Sequence, residues 1–144
     1  MLEALKEAKY AFENDEVPVG AVIVLNNRII ARGRNMTEGL TDVTAHAEMI
    51  CLTAAANYLG AKYLPDCALY VTLEPCLMCA AATRWAQMGK IVYGASDPKA
   101  GFSLCSGNIL HVKTEISGGI LANECGELMR DFFAGKRDHG EKSF

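Results

Sequence analysis

His46-Ala47-Glu48 and, further along, Pro75-Cys76-Leu77-Met78-Cys79 gather one imidazole, one carboxylate and two thiols into the middle of the chain. A neutral imidazole and two thiolates are donors suited to zinc. Three such ligands leave a fourth tetrahedral position for water, the mark of a catalytic rather than a structural site. The ion lowers that water's pKa toward about 7, and a carboxylate beside it can carry the released proton. His46, Cys76 and Cys79 are therefore expected to hold one Zn2+ per chain, with Glu48 as the catalytic proton carrier. The residues alone leave alternatives open. A lone C-x-x-C also serves as a redox pair or as half of a structural zinc site. In the structural case a fourth ligand would come from Cys51, Cys67, Cys105 or His111, and the protein would be a non-catalytic, zinc-stabilised binding module.

These groups must be positioned by the elements around them. Residues 2–14 place Leu2, Leu5, Ala8 and Phe12 on one helical face with acids and lysines opposite, which predicts an amphipathic helix. Residues 17–25 are rich in β-branched side chains and read as a strand, with Pro18 near its start. Asn26-Asn27 is the expected tight turn, because Asn tolerates positive φ, and residues 28–34 return as the hairpin partner. An alanine-rich helix is expected over about 45–59, capped by Thr44 or Asp42. A short apolar strand covers 68–73. Pro75 is expected to open a helix reaching about Met88 with Gly89 as its stop. Strands over 90–94 and 112–116 and a helix over about 120–133 complete the order. The connection between the last two strands is long enough for a parallel crossover. This order predicts an α/β fold, a three-layer α/β/α domain with a five-stranded mixed sheet covered by helices on both faces. In it, Cys76 and Cys79 share one side of a helix start, whose positive end favours thiolates.

The bulk composition fits one domain. The 144 residues are 51% hydrophobic and 22% charged, and no low-complexity tract or linker divides them. The single domain is expected over 1–144, with about 136–144 as a flexible tail. No run reaches the roughly 18 apolar residues of a membrane span. The acidic start, Met1-Leu2-Glu3-Ala4-Leu5-Lys6-Glu7, does not read as a signal peptide, so the expected compartment is the cytoplasm. Six cysteines in that setting argue against disulfides. Cys51, Cys67, Cys105 and Cys125 are expected as small buried hydrophobes. A net charge of −3 argues against broad non-specific binding to nucleic acid without excluding a local basic patch.

H-x-E followed by P-C-x-x-C is the signature of zinc-dependent nucleobase deaminases. Further blocks extend the likeness: Glu16-Val17-Pro18-Val19-Gly20-Ala21-Val22, Thr44-Ala45-His46-Ala47-Glu48-Met49, Leu69-Tyr70-Val71-Thr72-Leu73-Glu74-Pro75-Cys76 and Asp131-Phe132-Phe133. Together they resemble the bacterial tRNA adenosine deaminases of the cytidine and deoxycytidylate deaminase superfamily, in the same order and over nearly the whole chain. The resemblance implies a cytidine-deaminase-like fold, a homodimer, and hydrolytic deamination of adenosine to inosine at the wobble position of a tRNA anticodon stem-loop. It also implies His46, Cys76 and Cys79 as zinc ligands, Glu48 as proton shuttle and Asn35 as a hydrogen-bond partner of the flipped nucleoside. The residues alone equally allow Asn35 as a turn residue closing the hairpin. Val17, Pro18 and Ala47 join the substrate-binding set. Of Phe132 and Phe133, which could flank anticodon bases, Phe133 is taken as the contact. Arg84, Lys99, Lys113, Lys136 and Arg137 are the cations within reach of an RNA backbone. The alternative substrate is a free nucleobase or nucleoside, guanine or cytosine in type, on the same zinc site.

Overall fold

The computed structural model describes residues 1–141. Its elements in chain order are α1 (Leu2–Glu13), β1 (Gly20–Leu25), β2 (Arg28–Arg34), α2 (Ala47–Leu59), β3 (Ala68–Leu73), α3 (Leu77–Trp85), β4 (Lys90–Ala95), β5 (Glu115–Ser117) and α4 (Ala122–Glu141), with one 3-10 turn at Phe102–Leu104. The five strands form a single sheet in the order β2-β1-β3-β4-β5. β1 pairs antiparallel with β2 and β3, whereas β3–β4 and β4–β5 are parallel. The sheet is mixed, as the order of elements predicts.

The pleat sends alternate residues to opposite helical layers. On β1, Ala21 and Ile23 join Ala47, Cys51 and Ala55 of α2 in the main core, with Leu69, Val71 and Ile91 from the neighbouring strands. The other face carries α1 and α4. A Cβ on Gly20 would lie 2.1 Å from the Ala4 carbonyl oxygen, and one on Gly94 would lie 2.6 Å from Cys125 Sγ. Glycine at these positions lets helix and sheet approach closely. α2 and α3 contact each other in one layer, and α1 and α4 do so in the other.

Several boundaries differ from those the sequence predicts, each for a local reason. The first strand begins at Gly20, because Pro18 has no N–H to give and Val19 N–H turns back to the Val17 carbonyl at 2.8 Å. The hairpin turn is as expected, with φ of 50° at Asn26 and 60° at Asn27. α2 starts at Ala47 with His46 in the cap position, not Thr44 or Asp42; those two hydrogen-bond each other at 2.7 Å in the preceding turn. Pro75 precedes α3, and the cap is Cys76. That helix stops at Trp85, short of Met88. Gly89 does not cap it but lets the chain pass Pro65, whose carbonyl oxygen would lie 2.2 Å from a Cβ there. The last strand covers 115–117 rather than 112–116. The expected tail is helical from 136 through 141, and its residues 142–144 lie outside the described residues. Cys51, Cys67 and Cys125 are buried as expected, Cys105 is only half-buried, and all six thiols are free. No described helix is long and apolar enough to cross a membrane.

Candidate active site

α2 and α3 begin at the same end of one layer, and each is capped by a residue that is an unusual choice. His46 and Cys76 occupy the cap positions in extended conformation, and neither helix has a side-chain capping hydrogen bond. Ser, Thr, Asp or Asn would ordinarily stand there and satisfy a free N–H. These two side chains turn toward each other instead. His46 Nδ1 lies 3.7 Å from Cys76 Sγ and 3.5 Å from Cys79 Sγ, and the three donor atoms all lie within 4.8 Å of one another. Tetrahedral zinc bound at its usual distances sets nitrogen–sulfur separations of about 3.6 Å. The spacing and the donor set thus fit one zinc ion per chain. Among the described residues no fourth His, Cys, Asp or Glu joins this group. Cys51 belongs to the core, and its thiol is pushed up to about 12 chiefly by burial, so it offers no thiolate ligand.

Glu48 stands beside the group. It lies one residue inside α2, is 4% exposed, and its Oε2 accepts from Cys79 Sγ at 3.5 Å. Burial holds its carboxyl above the usual carboxylate range, opposed by its own backbone N–H and by the His46 charge. The thiol pair divides unequally: hydrogen bonding from Cys79, with help from His46, pulls the Cys76 thiol down to about 4. Cys79 is raised, first by donating to Cys76 and then by burial. Hydrogen bonding to Cys76 raises His46 against the opposing effect of its burial. Both sulfurs must be deprotonated to bind a cation, so binding displaces the remaining thiol proton.

The end of β2 leads from the start of α2 to a cavity. Asn35 N–H bonds the Val19 carbonyl at 3.0 Å, and Met36 N–H bonds the carbonyl of Ala45, the residue before His46, at 2.9 Å. Gly33 has no room for a Cβ, which would lie 2.4 Å from the Ala47 carbonyl oxygen. Fully buried Ala47 is thus part of the contact between β2 and α2. Beyond Asn35 opens a cavity of about 880 Å³, lined by Val17, Asn35, Phe132, Phe133 and Lys136 among others. Asn35 is 6% exposed and its Nδ2 lies 3.4 Å from both Glu16 Oε2 and Thr37 Oγ1. Phe133 is 43% exposed at the cavity, while Phe132 is mostly buried, stacked edge-on to Phe12 and Phe133. Pro18 is fully buried and does not line the cavity. Lys136 pairs with Asp15 at 2.7 Å, and Arg34 with Glu7 at 3.2 Å, on the cavity's rim. Of the other cations, Arg84 bonds the Asn108 carbonyl beside a separate cavity, and Lys99 and Lys113 are exposed in the connection before β5.

Two buried carboxylates escaped the sequence reading. Glu16 accepts the Gly39 N–H at 2.6 Å and the Glu38 N–H at 3.2 Å, and so shapes the turn after Asn35. Glu74 accepts two backbone N–H groups from the connection after β4. Both lie inside the sequence blocks quoted above, but nothing in their spacing distinguishes them from surface acids.

Residues 1–95 match the cytidine and deoxycytidylate deaminase zinc-binding region. The tRNA-specific adenosine deaminase of Agrobacterium fabrum is 47% identical over 93% of this chain and 91% of its own length. A structure solved in studies of A-to-I editing by tRNA:A34 deaminases at the wobble position of transfer RNA superposes with a TM-score of 0.84. It is 45% identical and is covered over 89% of this chain and 96% of its own. A guanine deaminase from Nitrosomonas europaea has a TM-score of 0.81 at 22% identity, over 91% of this chain and 81% of that one, and shares the fold. The chain belongs to the zinc-dependent cytidine and deoxycytidylate deaminase family, among its tRNA-specific adenosine deaminases.

Proposed function

We propose that this protein hydrolyses adenosine to inosine at the wobble position of a tRNA anticodon, with His46, Cys76 and Cys79 as zinc ligands and Glu48 as proton carrier. The observation that carries the reading is the three-donor group with a buried carboxylate 3.5 Å from one donor. Zinc, when bound, supplies Lewis acidity that makes water nucleophilic near neutral pH. Glu48 takes a proton from the attacking water and passes it to N1 of the adenine ring. It then delivers the second proton to the departing amine, so adenosine and water leave as inosine and ammonia. Burial suits Glu48 to both steps, because a raised pKa brings its two protonation states closer in free energy.

Asn35 holds the flipped base through its side-chain amide. Val17 lines the wall, while Pro18 from behind and Ala47 at the helix start keep the wall in place. Phe133 offers an exposed ring on which a base can stack. A cavity of about 880 Å³ suits a nucleotide with its neighbours better than one free base. Arg34 and Lys136 sit on its rim, paired with acids that a phosphate would replace. Such a substrate places the enzyme with tRNA in the cytoplasm. A homodimer accounts for Trp85, which is 81% exposed at the end of α3, with Tyr58 also exposed on the adjoining α2. Sedimentation analysis should give twice the chain mass.

The substrate is tested by incubating zinc-loaded protein with an anticodon stem-loop carrying wobble adenosine, and separately with free guanine, cytosine, adenosine and cytidine. Inosine in the stem-loop, with little ammonia from the free compounds, is expected. Ammonia from a free base alone would replace this substrate with the guanine or cytosine alternative.

A further inference from the structure

Glu74 is 3% exposed, two residues before Cys76, and outside the metal-ligating group. Its oxygens are spent on one loop. Oε2 accepts the Asp97 N–H at 3.0 Å and Oε1 accepts the Ser103 N–H at 3.4 Å, so one carboxylate ties both ends of residues 97–103. Between those ends the loop folds on itself. Asp97 Oδ1 accepts the Lys99 and Ala100 N–H groups at 3.0 and 3.1 Å, and Gly101 N–H bonds the Asp97 carbonyl at 3.1 Å. A Cβ on Gly101 would lie 1.9 Å from Glu74 Oε2, so any larger residue there must displace that carboxylate. The tied loop then runs along the segment that carries the ligand: Gly101 pairs antiparallel with Cys76, and Phe102 N–H bonds the Pro75 carbonyl at 2.9 Å. Cys76 is half-buried, so the crest of this loop, Gly101 to Ser103, lies directly against the segment that carries this ligand, while Phe102 and Ser103 also line the cavity beside Arg84.

We propose that Glu74 is a positioning residue that fixes the Gly101–Phe102–Ser103 crest against Pro75–Cys76 and thereby sets how tightly substrate is held at the mouth of the site. This rests on the reading of the site as a deaminase centre, but not on which substrate it takes. A buried carboxylate is retained at a desolvation cost that an apolar residue would avoid. Two charge-assisted bonds to backbone N–H groups of one loop offset that cost and fix the loop's geometry.

Glu74→Gln keeps the volume but replaces one acceptor oxygen by an amide N–H facing a backbone N–H. Gly101→Ala attacks the same contact from the other side. Both are measured against the zinc-loaded wild type for zinc content, amide hydrogen exchange, kcat and KM, on whichever substrate the wild type converts. The stem-loop reading can then fail without deciding this one. Expected for each variant are an unchanged zinc content, faster exchange at Asp97 and Ser103, and a KM raised about tenfold with kcat within about twofold. The double variant should be no worse than the more impaired single one, because both break one contact. Unchanged exchange at Asp97 and Ser103, or a lowered melting temperature with KM untouched, would overturn the proposal. Loss of zinc from Glu74→Gln would also overturn it, since the carboxylate would then be serving Cys76 rather than the loop.

Discussion

The metal group and the cavity beyond Asn35 are built in opposite ways. The group draws all its donors from two adjacent helix starts, His46 with Glu48 and Cys76 with Cys79, held by a dry core of alanines, cysteines and branched aliphatics. The cavity draws its lining from the end of α1, the segment before β1, the turn after β2 and the last helix. Among the described residues, its one ion pair between lining residues, Lys136 with Asp15, is exposed. Rigid, locally encoded geometry suits a reaction whose chemistry does not vary. A rim assembled from distant segments suits recognition, where separate side chains can change without disturbing the reaction.

If labour is divided in this way, variants in the two regions should fail differently. The largest effect is expected from Cys79→Ala. Loss of a ligand should empty the site, measured as zinc per chain by atomic emission, and lower deamination by at least about 10³-fold. Glu48→Gln comes next. Zinc should stay, while the rate falls by about 10²–10⁴-fold, the range general acid–base catalysis supplies. Stability should move the other way in the metal-free protein. Burial raises the Glu48 pKa in the folded chain above its unfolded value of about 4.5. In the window between those two values the folded chain binds the extra proton, so the penalty of burying the charge grows and stability falls as pH rises through it. Glutamine removes it, and calorimetry at pH 7 should show a higher melting temperature. For activity the sign is reversed: the carboxylate must be free to accept, so the wild-type rate should fall once pH drops far enough to protonate Glu48 in the zinc-loaded enzyme. A rate that does not fall on acidification while zinc is retained would exclude Glu48 as the acceptor.

Rim variants should leave zinc and kcat alone. Phe133→Ala removes a stacking surface worth about 1–3 kcal/mol, which is a KM rise of about 5- to 150-fold. A fall in kcat at constant KM would move Phe133 from recognition into the chemistry. The smallest effect is expected from Lys136→Ala. Its charge is half-exposed and already paired, so binding should weaken only a few-fold, with the salt slope reduced by about one.

The same contrast explains what the sequence made legible. Short-range patterns survived: the Asn26-Asn27 turn has both residues at positive φ, the parallel crossover to the last strand is present, and His46, Glu48, Cys76 and Cys79 come together. Boundaries slipped where hydrogen bonding decides them. His46 and Cys76 displaced ordinary caps because their side chains face the metal group rather than the free N–H groups. Gly89 looks like a helix stop but answers to Pro65, a contact no local pattern reveals. Pro18 and Val17 stand next to each other in sequence, yet only Val17 reaches the cavity. Glu16 and Glu74 were invisible because their partners are backbone N–H groups more than twenty residues away. A carboxylate that folds a loop has no composition signature, whereas one beside a His and a C-x-x-C does.

Deamination by these four residues is tested most directly by single-turnover conversion of wobble adenosine in an anticodon stem-loop, run with wild type and Glu48→Gln at matched zinc content. Both proteins should bind the stem-loop with equal affinity, and inosine should form at a measurable rate with the wild type alone. Undiminished inosine formation by Glu48→Gln, or none from the zinc-loaded wild type, would contradict it.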